Sequence, residues 1–282
     1  MSDSTDVHAF AQLVLDGVDC GPIRKIEGSG GARSKIASVL HEPVTLQIGT
    51  GMGAPMMDWI KSALGGQPTR RSGSLEIAGD KLAAPVTRAF EDATITGITL
   101  PACDTAAGQR TALLVVTISP SVVREQKRDG GALPAPQQKK PRPLYPSRFK
   151  LAIDGLEKEC SRISKVDSLT FEQKTVVDTV GESSEQPAGS TKLELPHLRV
   201  TVDAADLGAF RAWHEEFVAC SEKGTCGDGD GCRNKQGRLA YLDPAGDELL
   251  SLELRRLGVV KVSTGGAATV EISFESAALK LG

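Results

Sequence analysis

The chain has 282 residues, 40% of them apolar and 4% aromatic, with a formal net charge of −3. That length can bury the cores of two ordinary domains, and the near balance of acid and base excludes a long-range basic footprint for nucleic acid or an anionic membrane. No apolar run approaches the ~20 residues that span a bilayer, so no membrane segment is expected. The opening MSDSTDVHAF carries acidic and hydroxyl residues where a secretory signal has a basic and then an apolar region. The expectation is a chain made in the cytoplasm, with its 6 cysteines as free thiols rather than a disulfide frame.

After a polar arm over residues 1–9, Phe10–Leu15 reads as a strand running into an Asp16-Gly17 turn, and Cys20-Gly-Pro-Ile23 with Lys25-Ile-Glu27 reads as the returning strand. A polar, Gly/Ser-containing loop over Gly28–Ile36 follows. Val44, Leu46 and Ile48 then alternate with polar residues at the period of a half-buried strand. Directly after them Met56, Trp59, Ile60 and Leu64 recur at helical spacing, with Pro55 in the first turn. Three β segments complete this half: Ser74–Ile77 turning at Gly79-Asp80, Ala93–Ile98, and Leu113–Ile118.

The same order recurs beyond residue 148. Phe149–Ile153 runs into Asp154-Gly155, and Cys160-Ser-Arg-Ile163 with Lys165-Val-Asp167 stands where the first hairpin returns. A second polar loop over Val177–Thr191 precedes Leu198, Val200 and Val202, which occupy the places of Val44, Leu46 and Ile48. Leu207, Phe210, Trp213 and Phe217 then give a second helix, with Asp203 or Asp206 available as its cap. Trp59 and Trp213 are the only tryptophans in the chain and fall on equivalent places, which makes a repeat the primary inference. Both read as core anchors rather than ligand stacking faces. Arg238–Leu242 turning at Gly246-Asp247, Leu257–Val262 and Thr269–Phe274 complete the second copy.

The expected fold is therefore mainly β with one helix per domain: two tandem antiparallel barrels or sandwiches over 10–124 and 148–282. The Pro- and Lys-rich linker 125–147 lies between them.

Residue by residue, the first copy resembles the tail tube proteins of phages and of contractile, phage-like injection systems. The resemblance rests on Leu13-x-Leu15-Asp16-Gly17, on Val44–Leu64 with Trp59, on Arg71-Ser-Gly-Ser-Leu-Glu-Ile77, on Phe90-Glu91-x-Ala93, and on Leu114–Ser119 with Pro120. The second copy keeps the Asp-Gly turn, the Trp213 helix, Gly237-Arg238-Leu239 and the last strand, but lacks the Arg-Ser-Gly-Ser wording. The resemblance implies a structural subunit with no catalytic residues and no cofactor. Such a subunit assembles with itself into rings, as a trimer giving six domains or as a hexamer, and contacts adjacent tube rings and sheath or baseplate proteins. DNA or protein cargo would pass through the lumen, with the strand of each repeat in the channel-forming sheet and the helix on its outer side. A baseplate hub or tube initiator of the same particle is the alternative within the class.

Other motifs point elsewhere. Gly49-Thr-Gly51-Met-Gly53-Ala54 follows a strand and opens a helix as a dinucleotide fingerprint does, with Glu76 at the distance of a ribose contact, so an NAD-binding enzyme is the alternative of another class. The second copy reads Asp203-Ala-Ala-Asp-Leu-Gly208 there, without the glycine-rich turn. A monomeric β-sandwich binding module is a third reading. Cys220, Cys226 and Cys232, near His214, Asp228 and Asp230, are candidate metal ligands or partners in a loop disulfide, although their spacing matches neither a zinc ribbon nor an EF-hand loop and a Gly/Asp-rich loop is the default reading. His8, His41, His197 and His214 accompany no nucleophile signature, and Lys139-Lys140-Pro-Arg142 reads as solvated linker rather than a phosphate contact.

Overall fold

A computed structural model describes residues 11–28, 32–35, 38–77, 86–127, 143–176, 190–222, 235–264 and 267–282. The elements of the first copy are β1 (Ala11–Leu15), β2 (Val18–Glu27), β3 (Ala32–Lys35), β4 (Ser38–His41), β5 (Val44–Ile48), α1 (Ala54–Leu64), β6 (Arg71–Ile77), β7 (Val86–Leu100), β8 (Cys103–Asp104), β9 (Leu114–Ser119) and β10 (Val122–Lys127). Those of the second are β11 (Phe149–Ile153), α2 (Glu157–Cys160), β12 (Lys165–Val166), β13 (Leu169–Val176), β14 (Ser190–Glu194), β15 (Leu198–Val202), α3 (Leu207–Glu222), β16 (Lys235–Leu242), β17 (Glu248–Ser263), β18 (Ala268–Ser273) and β19 (Ser276–Leu281). The protein is mainly β, with barrel-like antiparallel sheets.

The chain forms two compact units that do not follow the simple division at a central linker. One contains Met1–Thr99, Leu114–Pro141 and Phe171–Glu194; the other contains Leu100–Leu113, Arg142–Thr170 and Leu195–Gly282. Each unit thus holds a segment that belongs, by sequence order, to the other copy of the repeat. Most of the expected linker lies outside the described residues. Its first residues, Glu125–Lys127, are part of β10, and Leu144 is buried.

In the first unit β7, β6, β1, β2, β5 and β9 follow one another by hydrogen-bonded pairs, and β9 pairs back onto β7, closing a barrel. Closure needs one strand long enough to serve both ends. β7 does so by pairing β6 and β10 through Val86–Glu91 and β9 through Thr94–Thr99. Asp92, between the two halves, adopts φ 49°. This left-handed conformation is uncommon for a residue with a Cβ and bends the strand where it changes partners. Asp16 and Gly17, at φ 49° and 81°, make the expected hairpin turn between β1 and β2. Arg71 of β6 donates to the Asp16 carboxylate at 2.5 Å.

The second unit repeats this plan with the same registers. Val44, Leu46 and Ile48 face Ile118, Val116 and Leu114, while Leu198, Val200 and Val202 face Ile272, Val270 and Ala268 in the same order. Arg256 bends β17 with φ 58° as Asp92 bends β7. Gly73 lies opposite Leu15 and Gly237 opposite Ile153. A Cβ on Gly73 would come 2.2 Å from the Val14 carbonyl oxygen, and one on Gly237 would come 2.7 Å from Leu257 Cδ1, so both crossings require the missing side chain.

One sequence expectation is corrected here. Lys165–Asp167 was expected to return along β11 as β2 returns along β1. Instead Cys160 closes the helical turn α2, β12 pairs with β15 and β8, and no β11–β12 pairing exists among the described residues. The longer connection of the second copy relaxes into a turn of helix, and the second barrel is left nearly closed.

Candidate functional site

The helices show how each barrel is sealed. α1 starts at Gly53, whose N–H donates to the Cys20 carbonyl at 2.8 Å. It buries Met56, Met57, Trp59, Ile60, Ala63 and Leu64, more than a single face. Trp59 Nε1 donates to the Thr69 carbonyl at 2.9 Å, which gives this buried indole its polar partner. α3 buries a narrower stripe of Leu207, Phe210 and Trp213, with Lys235 Nζ 5.7 Å from the Trp213 ring centroid. Before it, the Asp203 carboxylate accepts the Ala205 N–H at 2.8 Å, whereas the buried Asp206 carboxylate is taken by the guanidinium of Arg162. Val44, Leu46, Ile48, Leu198, Val200, Val202, Trp59 and Trp213 are all buried.

The turn with dinucleotide-like spacing lacks the surroundings that its chemistry needs. Its strand, β5, is flanked by β2 and β9, both antiparallel, whereas a pyrophosphate site needs a parallel βαβ crossover. A Cβ at Gly49 would meet nothing within 4 Å, so nothing in the fold calls for glycine there. Glu76 lies on β6, separated from β5 in the sheet by β1 and β2, not on the neighbouring strand as in that fold.

Of the candidate metal ligands, Cys220 lies on α3 and forms a disulfide, which corrects the expectation that all the cysteines are free thiols, although Cys20, Cys103 and Cys160 are free; Cys226, Cys232, Asp228 and Asp230 lie outside the described residues. A sulfur in a disulfide has no thiolate to offer a metal. Among the described residues no group of three or more His, Cys, Asp or Glu is placed to hold a metal ion. His8 and Lys139–Arg142 also lie outside the described residues. His197 is exposed, 3.9 Å from Glu271; His41 lies on β4 and His214 on α3. Among the described residues no helix is long and apolar enough to cross a membrane.

What the structure does bring together is strand edges. With both edges of Val86–Glu91 taken by β6 and β10, and one edge of Thr94–Thr99 by β9, β13 occupies the remaining edge of β7, and β14 follows it. Gln173 of β13 reaches the end of α1, with Nε2 3.5 Å from the Ala63 carbonyl. In the second unit the short β8 lies on the outer edge of β12, pairing Cys103 with Val166 and Asp104 with Lys165. This segment is held throughout. Thr105 N–H donates to Ser164 O at 2.9 Å, Ala112 N–H to Leu144 O at 2.9 Å, and the buried Tyr241 hydroxyl to Pro101 O at 2.7 Å. Burial pushes the Cys103 thiol up to about 12 and the Tyr241 phenol well above its usual value.

These edge contacts were not anticipated from the sequence. The connection from Ile98 to Leu113 is visibly longer than its counterpart from Val262 to Thr269, which is the trace that β8 leaves in the sequence. The strand β13 is visible as the alternation of Leu169 and Phe171 with Thr170 and Glu172, but nothing local names its partner. No protein-family model matches the chain, and no curated protein matches it at a significant level.

Proposed function

We propose that the chain is a structural subunit that assembles with itself, side by side, into rings of a phage tail or phage-like injection tube. The observation that carries this reading is that a sheet of the first unit is completed by β13 and β14, which come from the other copy of the repeat. A strand edge that accepts strands from the other copy of the sequence repeat is chemically an interface: its N–H and C=O groups are satisfied by backbone from outside its own copy. Edges that accept strands in this way can also accept them from further copies of the chain, and a heterologous series of such contacts ends when its rotation closes a ring. Three chains would supply six barrels, and six chains a larger ring; DNA or a protein would pass through the opening. Sheath, baseplate and neighbouring rings are the partners that this reading entails.

Size-exclusion chromatography with light scattering, followed by averaged negative-stain images viewed down the ring axis, tests the reading. Rings or stacked tubes with an open centre are expected. A dispersed monomer whose melting temperature rises on adding NAD would replace it with the enzyme reading.

A further inference from the structure

The two units differ in one respect that the repeat makes conspicuous. β17 is the counterpart of β7: its first half pairs with β16 and β19, and Gly258–Ser263 pairs with β18. Among the described residues, no strand takes the remaining edge of Gly258–Ser263, the edge that β13 takes on β7.

The side chains around that edge register the difference. Ile98 of β7 and Val262 of β17 face equivalent residues, Val116 and Val270, yet Ile98 is 2% exposed and Val262 is only half-buried. At the end of the adjoining helix, Leu64 of α1 is 2% exposed while its counterpart on α3, Val218, is 38% exposed. In the first unit that end of the helix is where Gln173 of β13 reaches the Ala63 carbonyl. An open strand edge and an exposed apolar side chain therefore coincide at the place where the other unit carries a hairpin.

The chain also contains a hairpin that joins no larger sheet among the described residues. β3 and β4 lie between β2 and β5, as β13 and β14 lie between β12 and β15, and they pair with each other from Ala32↔His41 to Lys35↔Ser38. Among the described residues they form a two-stranded sheet of their own, whereas β13 and β14 are built into the barrel sheet. An isolated two-stranded hairpin is marginally stable at best in water.

We propose that the open edge Gly258–Ser263 of β17, with the end of α3 at Val218, is the docking surface for the β3–β4 hairpin of a second copy of this chain. The contact would repeat between chains the arrangement that β13 and β14 make on β7. It is heterologous, since hairpin and acceptor edge are different surfaces, so each chain both donates and receives and the series closes only as a ring. This rests on the ring-forming reading above and deepens it by naming the surfaces that join.

Two variants of the full chain test it. In one, Ala32–His41 is replaced by a Gly/Ser segment of equal length; in the other, Val218→Asp and Val262→Asp charge the acceptor surface without touching a fully buried side chain. Wild type is expected to run as a ring by light scattering, and each variant alone as a monomer with a cooperative thermal transition. An equimolar mixture is expected to form a one-to-one dimer, because the charged variant still donates its hairpin and the hairpin-less variant still offers an intact edge. If the hairpin-less chain keeps the wild-type ring mass, the proposed surface is wrong while ring formation stands. If the mixture stays monomeric, the donor–acceptor pairing is overturned. If wild type is itself monomeric, both readings fall.

Discussion

The seat of each helix on its barrel gives the sharpest test of the repeat, because the two copies fill the same contact with opposite choices of size. In the second copy Phe217 of α3 lies against Gly258 of β17: a Cβ on Gly258 would come 2.5 Å from Phe217 Cε2 and 2.9 Å from Cδ2. In the first copy the corresponding residues are Ala63 and Thr94, since Thr94 faces Ser119 as Gly258 faces Ser273. Carbon atoms settle at roughly 3.5–4 Å, so a methyl at Gly258 forces the ring or the strand to move by about 1 Å. Overpacking of this kind costs about 1–3 kcal/mol, and the half-buried ring of Phe217 can relieve it only by surrendering its own buried area. Gly258→Thr is therefore expected to destabilise the second unit by about 1–3 kcal/mol, and Phe217→Ala by about 1–2 kcal/mol through lost burial. The double variant transplants the first copy's solution and is expected to recover at least about 1 kcal/mol relative to the sum of the singles. Urea denaturation followed by Trp213 fluorescence, in a background where Trp59→Phe silences the other indole, reads the second unit. A double variant whose cost equals the sum of the single costs would refute the equivalence of the two helix seats.

Further expectations follow from the same geometry. Gly73→Ala, which would press a Cβ against the Val14 carbonyl oxygen at 2.2 Å, is expected to lower the first unit's melting temperature by several degrees in calorimetry, more than Gly49→Ala, where the space is open. Trp59→Phe removes the hydrogen bond from the buried indole to the Thr69 carbonyl and replaces a fully buried ring by a smaller one; a loss of about 1–2 kcal/mol in chemical denaturation is expected. Asp206→Ala strips Arg162 of its buried carboxylate partner and is expected to cost about 1–3 kcal/mol, with Asp206→Asn closer to wild type. Burial raises the thiols of Cys103 and Cys160 to about 12 and that of Cys20 in the same direction, so all three are expected to resist a thiol-specific reagent at pH 8 until denaturant is added. These shifts favour the neutral thiol in the folded state. Their contribution is therefore full below the unfolded value near 9 and lost as the pH rises from there toward 12, so pH-titrated unfolding should show alkaline destabilisation in that window.

The sequence alone determined the parts of this protein whose signals are local. The alternation of Val44, Leu46 and Ile48 and of Leu198, Val200 and Val202 marks strands buried on one face, and the spacing around Trp59 and Trp213 marks helices with a core side. The match between the two copies predicts the same order of elements in both, and apart from α2 and β8 the structure returns it, with equal registers between β5 and β9 and between β15 and β18. The repeat also weakens the Gly49–Ala54 motif, since one copy manages the strand-to-helix turn without those glycines.

Tertiary structure decided what depends on residues far apart in the chain. That Lys165–Val166 does not pair with β11, that Asp206 serves Arg162 rather than its own helix, and that Phe217 needs a glycine beneath it are choices between locally equal alternatives, made by whatever packs against them. Above all, the sequence order of the repeat suggests two successive domains, whereas β8 and β13 each belong to a unit assembled mainly from the other copy. A strand edge carries no side-chain code for its partner, because its bonding groups are backbone and every residue but proline has them. Which edge receives which strand is therefore written in three dimensions, and it is that placement that, among the described residues, leaves the edge of β17 open and the β3–β4 hairpin in a sheet of its own.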